Sequence, residues 1–197
     1  MLVLASGSSG RRVLLENAGV PHGVMIAPVD EEAARLAFRA EGLGPRDLAD
    51  ALAALKARKV SEKCPADLVL GCDQTLALDD GTMFDKADSR AMLAEQLRQL
   101  SGKTHSLFSA MVIAEQGQPV WRHVERVRLT MRVLSEGFIA DYLESEGDVL
   151  LGCVGGYRIE GLGAQLFSAI DGSHFAIVGL PLLPLLDHLR TREILVT

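Results

Sequence analysis

A chain of 197 residues, 48% apolar and 23% charged, can bury about 70% of its unfolded surface without a disulfide or metal staple. Its composition lies outside those of disordered, collagen-like and coiled-coil chains. The 20 Lys and Arg against 26 Asp and Glu leave a net charge of -6, which excludes a face-wide cationic footprint for duplex nucleic acid but leaves room for a local basic pocket.

The length fits a single domain over residues 1–197. The start, Met1-Leu-Val-Leu-Ala5, carries no basic residue and reaches Ser-Gly too soon for a signal peptide. The longest apolar run, residues 176–186, is broken by Gly179, Pro181 and Pro184 and cannot span a bilayer. Cys64, Cys72 and Cys153 are odd in number and lack CxxC spacing, so they read as small hydrophobes rather than a disulfide framework or zinc site. The expected setting is cytoplasmic, with no membrane and no nucleic-acid partner.

In chain order, residues 2–5 form a short apolar strand that ends in the turn Ser6-Gly7-Ser8-Ser9-Gly10. A helix over 11–17 follows, with Gly19 at its end. Asp30-Glu31-Glu32 opens a second helix to about 40, its acids suited to a first turn. Residues 45–63 read as a long helix and 67–71 as a buried strand delivering Cys72-Asp73-Gln74 at its end. A helix over 89–100 precedes a hairpin of 107–114 and 119–132 around Gly117, whose second arm alternates Arg126, Arg128, Thr130 and Arg132 with Val127, Leu129 and Met131. A helix over 135–146, further strand within 157–170 and a closing helix over 180–190 complete the chain. Interleaved strands and helices without a linker or repeat predict an α/β fold with a mixed sheet flanked by helices.

Three polar clusters fall at predicted strand ends, where open α/β sheets place their ligands. The loop Ser6-Gly7-Ser8-Ser9-Gly10-Arg11-Arg12 joins strand to helix. Its glycines, hydroxyls and helix N–H groups suit a phosphate, and Arg adds a charge-assisted fork. Asp73 closes an apolar strand and requires a cationic partner if buried; with the acids at 30–32 it can converge on a hard cation whose shell substrate phosphates complete. Lys56 and Lys86 supply point charges for a polyphosphate, although a single lysine is ordinarily a surface residue. Ser101-Gly102-Lys103-Thr104 imitates the end of a P-loop, but the required first glycine is Leu97 and the segment follows a helix; Gly161-Leu162-Gly163 lacks a third glycine at Leu166. No His has ligand spacing, and His105 reads as a cap on the 100–105 segment.

The ordered motifs Leu4-Ala5-Ser6-Gly7-Ser8 with Arg11, Val29-Asp30-Glu31, Lys56-Ala57, Gly71-Cys72-Asp73-Gln74 and Lys86 resemble the Maf family of nucleoside triphosphate pyrophosphatases. The resemblance continues through Leu100-Ser101-Gly102 with His105, Tyr157, Glu160-Gly161 with Gly163, and Val178-Gly179-Leu180-Pro181-Leu182, nearly the whole chain. It implies an ITPase-like α/β fold with a deep cleft between two lobes. It also implies hydrolysis of a nucleoside triphosphate to the monophosphate and pyrophosphate with a divalent metal, Mg or Mn. On this reading Asp73 is the general base, Glu31 and Asp73 hold the metal, and Lys56 and Lys86 act catalytically on the phosphates. Ser6, Ser8 and Arg11 bind the phosphates, while Gly10, Gln74 and Glu160 face the base.

The chain departs from the family pattern where Ser9 and Gly10 replace the Pro and first Arg of Ser-x-Ser-Pro-Arg-Arg. Gln74 stands for a common Thr, Glu160 for a common Gln, and Asp85-Lys86-Ala87 for Gly-Lys-Pro. Gln74 and Glu160-Gly161-Leu162-Gly163 resemble the 7-methyl-GTP branch. The competing readings are a dTTP/UTP pyrophosphatase, a catalytically silent nucleotide-binding regulatory protein, and a phosphatase removing one terminal phosphate. A homodimer is compatible with the sequence.

Overall fold

The computed structural model describes residues 1–196. The elements run β1 (Leu2–Leu4), α1 (Ser9–Asn17), β2 (His22–Val24), α2 (Glu31–Ala40), α3 (Pro45–Ser61), β3 (Leu68–Leu78), β4 (Met83–Phe84) and α4 (Arg90–Leu100). They continue with β5 (Thr104–Glu115), β6 (Gln118–Met131), α5 (Glu136–Glu146), two 3₁₀ turns (Gly147–Gly152 and Leu162–Leu166), β7 (Phe167–Asp171), α6 (His174–Val178) and α7 (Leu182–Thr191). The sheet has the order β2-β1-β3-β5-β6-β7, with β4 paired to β3. β1 runs parallel to β2 and β3, whereas β4 lies antiparallel to β3 and β7 to β6, so the sheet is mixed as the sequence predicts. Among the described residues, no helix is long and apolar enough to cross a membrane.

The described residues form two compact units: one of 1–74, 108–125 and 179–196, the other of 75–107 and 126–178. The first carries an alanine-rich core of Ala49, Ala53, Ala57, Ala110, Val112 and Ala114 and a smaller one around Val3, Val60 and Val69. The second is built on Leu76, Leu93, Leu97, Leu107, Leu129, Tyr142, Tyr157 and Leu166. β3, β5 and β6 contribute residues to both.

Helix starts follow local chemistry. Ser8, Asp30, Ser89 and Ser135 each accept a hydrogen bond from a first-turn N–H, a contact worth about 1 kcal/mol at such positions. The β5–β6 hairpin turns on Gln116 and Gly117, both at positive φ (50° and 76°), the signature of a primed two-residue turn. The predicted alternation on β6 holds, with Val127, Leu129 and Met131 buried between exposed Arg126 and Arg128.

Three expectations need correction. The strand predicted over 67–71 runs to Leu78, because Leu76-Ala77-Leu78 is apolar and Leu76 and Ala77 pair with β4. Asp73 therefore sits within the strand rather than at its end. The strand expected within 157–170 is confined to Phe167–Asp171, since Gly161 and Gly163 mark irregular backbone and a 3₁₀ turn. His105 does not cap the 100–105 segment. It lies fully buried in β5, with Nε2 2.8 Å from the Tyr157 hydroxyl and the ring tilted against Phe167.

Burial holds the His105 imidazole neutral and lowers its pKa to about 4. The unfolded value is ordinarily about 6.5, so unfolding takes up a proton at intermediate pH. Stability therefore rises with pH between those values and is lost as pH falls from about 6.5 towards 4, by up to about 3 kcal/mol. Urea unfolding at pH 7 and pH 4.5 is expected to show this loss in the wild type and most of it abolished in His105→Gln. Equal losses in both proteins would remove His105 as its source.

Candidate active site

The site grows from a close contact between α3 and β3. Gly71 lies against the backbone of α3 so tightly that a Cβ there would strike the Ala53 carbonyl and lie 2.6 Å from the Ala57 nitrogen. Only glycine permits that approach. Side chains two apart share a strand face, so Asp73 points to the side that α3 covers. Lys56 precedes Ala57 on that helix, and the contact delivers its ammonium to Asp73, Nζ to Oδ1 2.7 Å. Lys56 is 6% exposed and Asp73 4%; a carboxylate so buried needs a cation beside it.

A second carboxylate reaches the same lysine. Asp30 caps α2, its Oδ1 accepting from the Ala33 N–H at 3.0 Å. The next residue, Glu31, is thereby placed in the first turn and brings Oε2 to 2.8 Å from Lys56 Nζ. One helical turn on, Arg35 Nη2 stands 3.9 Å from Asp73 Oδ2. That distance makes an ion pair and is too long for a hydrogen bond. Asp73 Oδ2 is buried and accepts no hydrogen bond. The result is an alternating chain of charges: Glu31, Lys56, Asp73, Arg35.

The phosphate-loop residues assemble beside it. β1 stops pairing with β3 at Leu4, Ala5 N–H donates to the Leu70 carbonyl at 2.8 Å, and the next carbonyl along that edge is Cys72. Arg11 fills the vacated place. Its Nη1 donates to Cys72 O and to Ser6 Oγ, both at 3.1 Å, and its Nε donates to Gly179 O at 2.8 Å. The guanidinium expected to fork onto phosphate is thus buried among protein acceptors and ties the loop to the strand that carries Asp73. Ser6 Oγ also accepts from Ser8 N–H at 3.2 Å, and Ser8 Oγ caps α1 by accepting from Arg11 N–H. Each hydroxyl keeps its own O–H to donate. Gly10, in the first turn of α1, adds no side chain to the loop.

Gln74 leaves the strand on the opposite face, with Nε2 donating to the buried Ser109 Oγ at 2.8 Å. Burial pushes the Cys72 thiol up to about 11, opposed by Arg11 and Lys56, so it is an inert packing group. Cys64 and Cys153 are also free thiols but only half-buried.

Lys86 and Glu160 belong to the second unit. Both are exposed, and Glu160 Oε1 lies 3.3 Å from Arg158 Nε. Burial raises the Cys153 thiol; Glu160 adds to the rise, while Arg158 and Lys86 oppose it.

Four contributors escaped the sequence reading: Arg35, Ser109 and the carbonyls of Cys72 and Gly179. Only Arg35 left a signal, one helical turn from Glu31. Among the described residues, no three His, Cys, Asp or Glu converge as a metal cage. Two carboxylates meeting at Lys56, one with a buried oxygen lacking a hydrogen bond, still suit Mg²⁺. That ion is ordinarily held by one or two carboxylates plus substrate phosphates.

Fold and cluster define an α/β protein with a buried Lys56–Asp73 pair, extended by the exposed Glu31, against a serine-rich strand-to-helix loop. The Maf-like protein family model matches residues 1–192, and the chain belongs to that family. It is 50% identical over 196 residues to a nucleoside triphosphate pyrophosphatase of Ruegeria pomeroyi, covering 100% of this chain and 98% of the relative. A protein of the same name from Hyphomonas neptunium is 53% identical over the same shares. A 7-methyl-GTP pyrophosphatase of Brucella abortus is 48% identical, over 98% of this chain and 96% of the relative.

Proposed function

We propose that this chain hydrolyses a nucleoside triphosphate to the monophosphate and pyrophosphate, as a cytoplasmic guardian of the nucleotide pool. The observation that carries the proposal is the buried Asp73 carboxylate, held at Oδ1 by Lys56 while Oδ2 accepts no hydrogen bond. An oxygen so placed can take the proton of an attacking water. The water oxygen bonds to phosphorus, the bridging P–O bond of the α–β anhydride breaks, and the electron pair leaves with pyrophosphate.

The remaining groups answer the charge that develops. Lys56 has three N–H donors, two of them directed at Glu31 and Asp73, which leaves one for a phosphate oxygen. Ser6, Ser8 and the α1 N-terminus donate to phosphate, and Lys86 supplies a further cation for the departing pyrophosphate. Arg11 holds the loop in register with the Asp73 strand. A Mg or Mn ion held by Glu31 and Asp73 would, when bound, neutralise phosphate oxygens.

For the base, Gly10 leaves room where the common family pattern has Arg, and Glu160 offers an acceptor for a purine edge or a cationic methylated guanine. The preferred substrate is therefore a modified guanosine triphosphate, in line with the name of the Brucella relative. Arg158 beside Glu160 offsets part of that charge, so the preference is on the order of tenfold rather than larger. Pyrophosphate release from 7-methyl-GTP, GTP, dTTP and UTP tests this. The expected order places 7-methyl-GTP first, with the gap narrowing in Glu160→Gln. A panel led by dTTP or UTP overturns the base assignment, and a protein that binds nucleotides without releasing pyrophosphate is the silent regulator instead.

A further inference from the structure

Arg35 has no part in the reaction sketched above, yet its side chain is only 17% exposed and its guanidinium faces the one Asp73 oxygen that accepts no hydrogen bond. The opposite oxygen is neutralised by Lys56, which also holds Glu31. Each carboxylate of the candidate metal pair thus already faces a cation of the protein.

A divalent ion approaching Asp73 Oδ2 would meet a unit positive charge roughly 4 Å from the same oxygen. Repulsion at such a distance in a partly buried site is large compared with thermal energy. With a triphosphate bound, its phosphate anions would give Arg35 a new partner, and Asp73 Oδ2 would then be open to a divalent ion held with the nucleotide.

We propose that Arg35 is a placeholder cation for Asp73: it balances the carboxylate in the absence of nucleotide, disfavours the bare metal ion, and thereby couples metal binding to nucleotide binding. The proposal rests on the reading of Asp73 and Glu31 as metal ligands. Arg35 is a positioning residue in this account, acting through Asp73 and not on substrate. Its placement on α2, one turn from Glu31, means that movement of that turn reaches both the acid and its guard.

Titration of Mn²⁺ followed by the electron paramagnetic resonance of the free ion tests this without reference to turnover. Wild type, Arg35→Gln, Arg35→Lys and Asp73→Asn are compared, each with and without a non-hydrolysable α,β-methylene triphosphate. Without nucleotide, Arg35→Gln is expected to bind Mn²⁺ on the order of tenfold more tightly than wild type. Arg35→Lys, which keeps the charge, is expected to stay near wild type. The tightening produced by the analogue is expected to be large in wild type and small in Arg35→Gln. Unchanged or weaker Mn²⁺ binding by Arg35→Gln, in a protein whose wild type does bind Mn²⁺ with the analogue in an Asp73-dependent way, overturns the placeholder role alone. Failure of wild type to hold Mn²⁺ even with the analogue, or equal binding by Asp73→Asn, overturns the metal reading and the placeholder with it.

Discussion

Asp73→Asn is expected to lower turnover by about 10²–10⁴-fold, the usual result of removing a general base, with little change in the fold. The side chain keeps its shape, and the amide oxygen can still accept from Lys56. What disappears is the proton acceptor at Oδ2 and one negative charge of the cluster. Lys56 retains Glu31 as a partner 2.8 Å away, so the buried ammonium is not stranded, and thermal melting is expected to shift by only a few degrees. Steady-state rates with saturating metal and nucleotide, beside a melting curve, provide the check. Near wild-type turnover in Asp73→Asn would show that the water is activated elsewhere.

Lys56→Met is expected to be the most destabilising change at the site. It leaves Asp73 buried at 4% exposure without its closest cation, and breaking a buried pair from one side typically costs about 3–5 kcal/mol. For a chain of this size that is roughly a 10 °C fall in melting temperature. Removing both partners is a different matter, because apolar or neutral replacements of a buried pair are often nearly neutral. The double variant Lys56→Met with Asp73→Asn is therefore expected to recover most of the lost stability while remaining inactive. That divergence separates the structural role of the pair from its chemistry. A single variant within about 0.5 kcal/mol of wild type, the range of ordinary surface changes, would mean that Asp73 is solvated rather than clamped.

Much of this site was legible in the sequence, and particular residues show where legibility ends. Asp30 opens a helix by a local rule, and the structure uses it as a cap. The cationic partner required by an acid on a Leu-Val-Leu-Gly strand is found in Lys56. Tertiary geometry decided what local rules could not. Whether Arg11 faces a ligand or the protein depends on where β1 stops beside β3, since that leaves the Cys72 carbonyl to be satisfied. The continuation of β3 past Asp73 depends on its pairing with β4, a two-residue strand too short to leave a periodic signal. His105 carries no polar pattern of its own, and its burial follows from the Tyr157 and Phe167 side chains that surround it. Arg35 was spaced correctly from Glu31, but only the fold shows that Asp73 lies between its reach and that of Lys56.

The most direct measurement is phosphorus NMR of the products when the purified protein is incubated with 7-methyl-GTP and Mg²⁺. Cleavage between the α and β phosphates predicts pyrophosphate and 7-methyl-GMP in equal amounts, with neither orthophosphate nor a diphosphate accumulating, and the same products formed about 10²–10⁴-fold more slowly when Asp73→Asn replaces the wild type. Orthophosphate with 7-methyl-GDP would contradict it, because the bond broken would then be the terminal anhydride and not the one between the α and β phosphates.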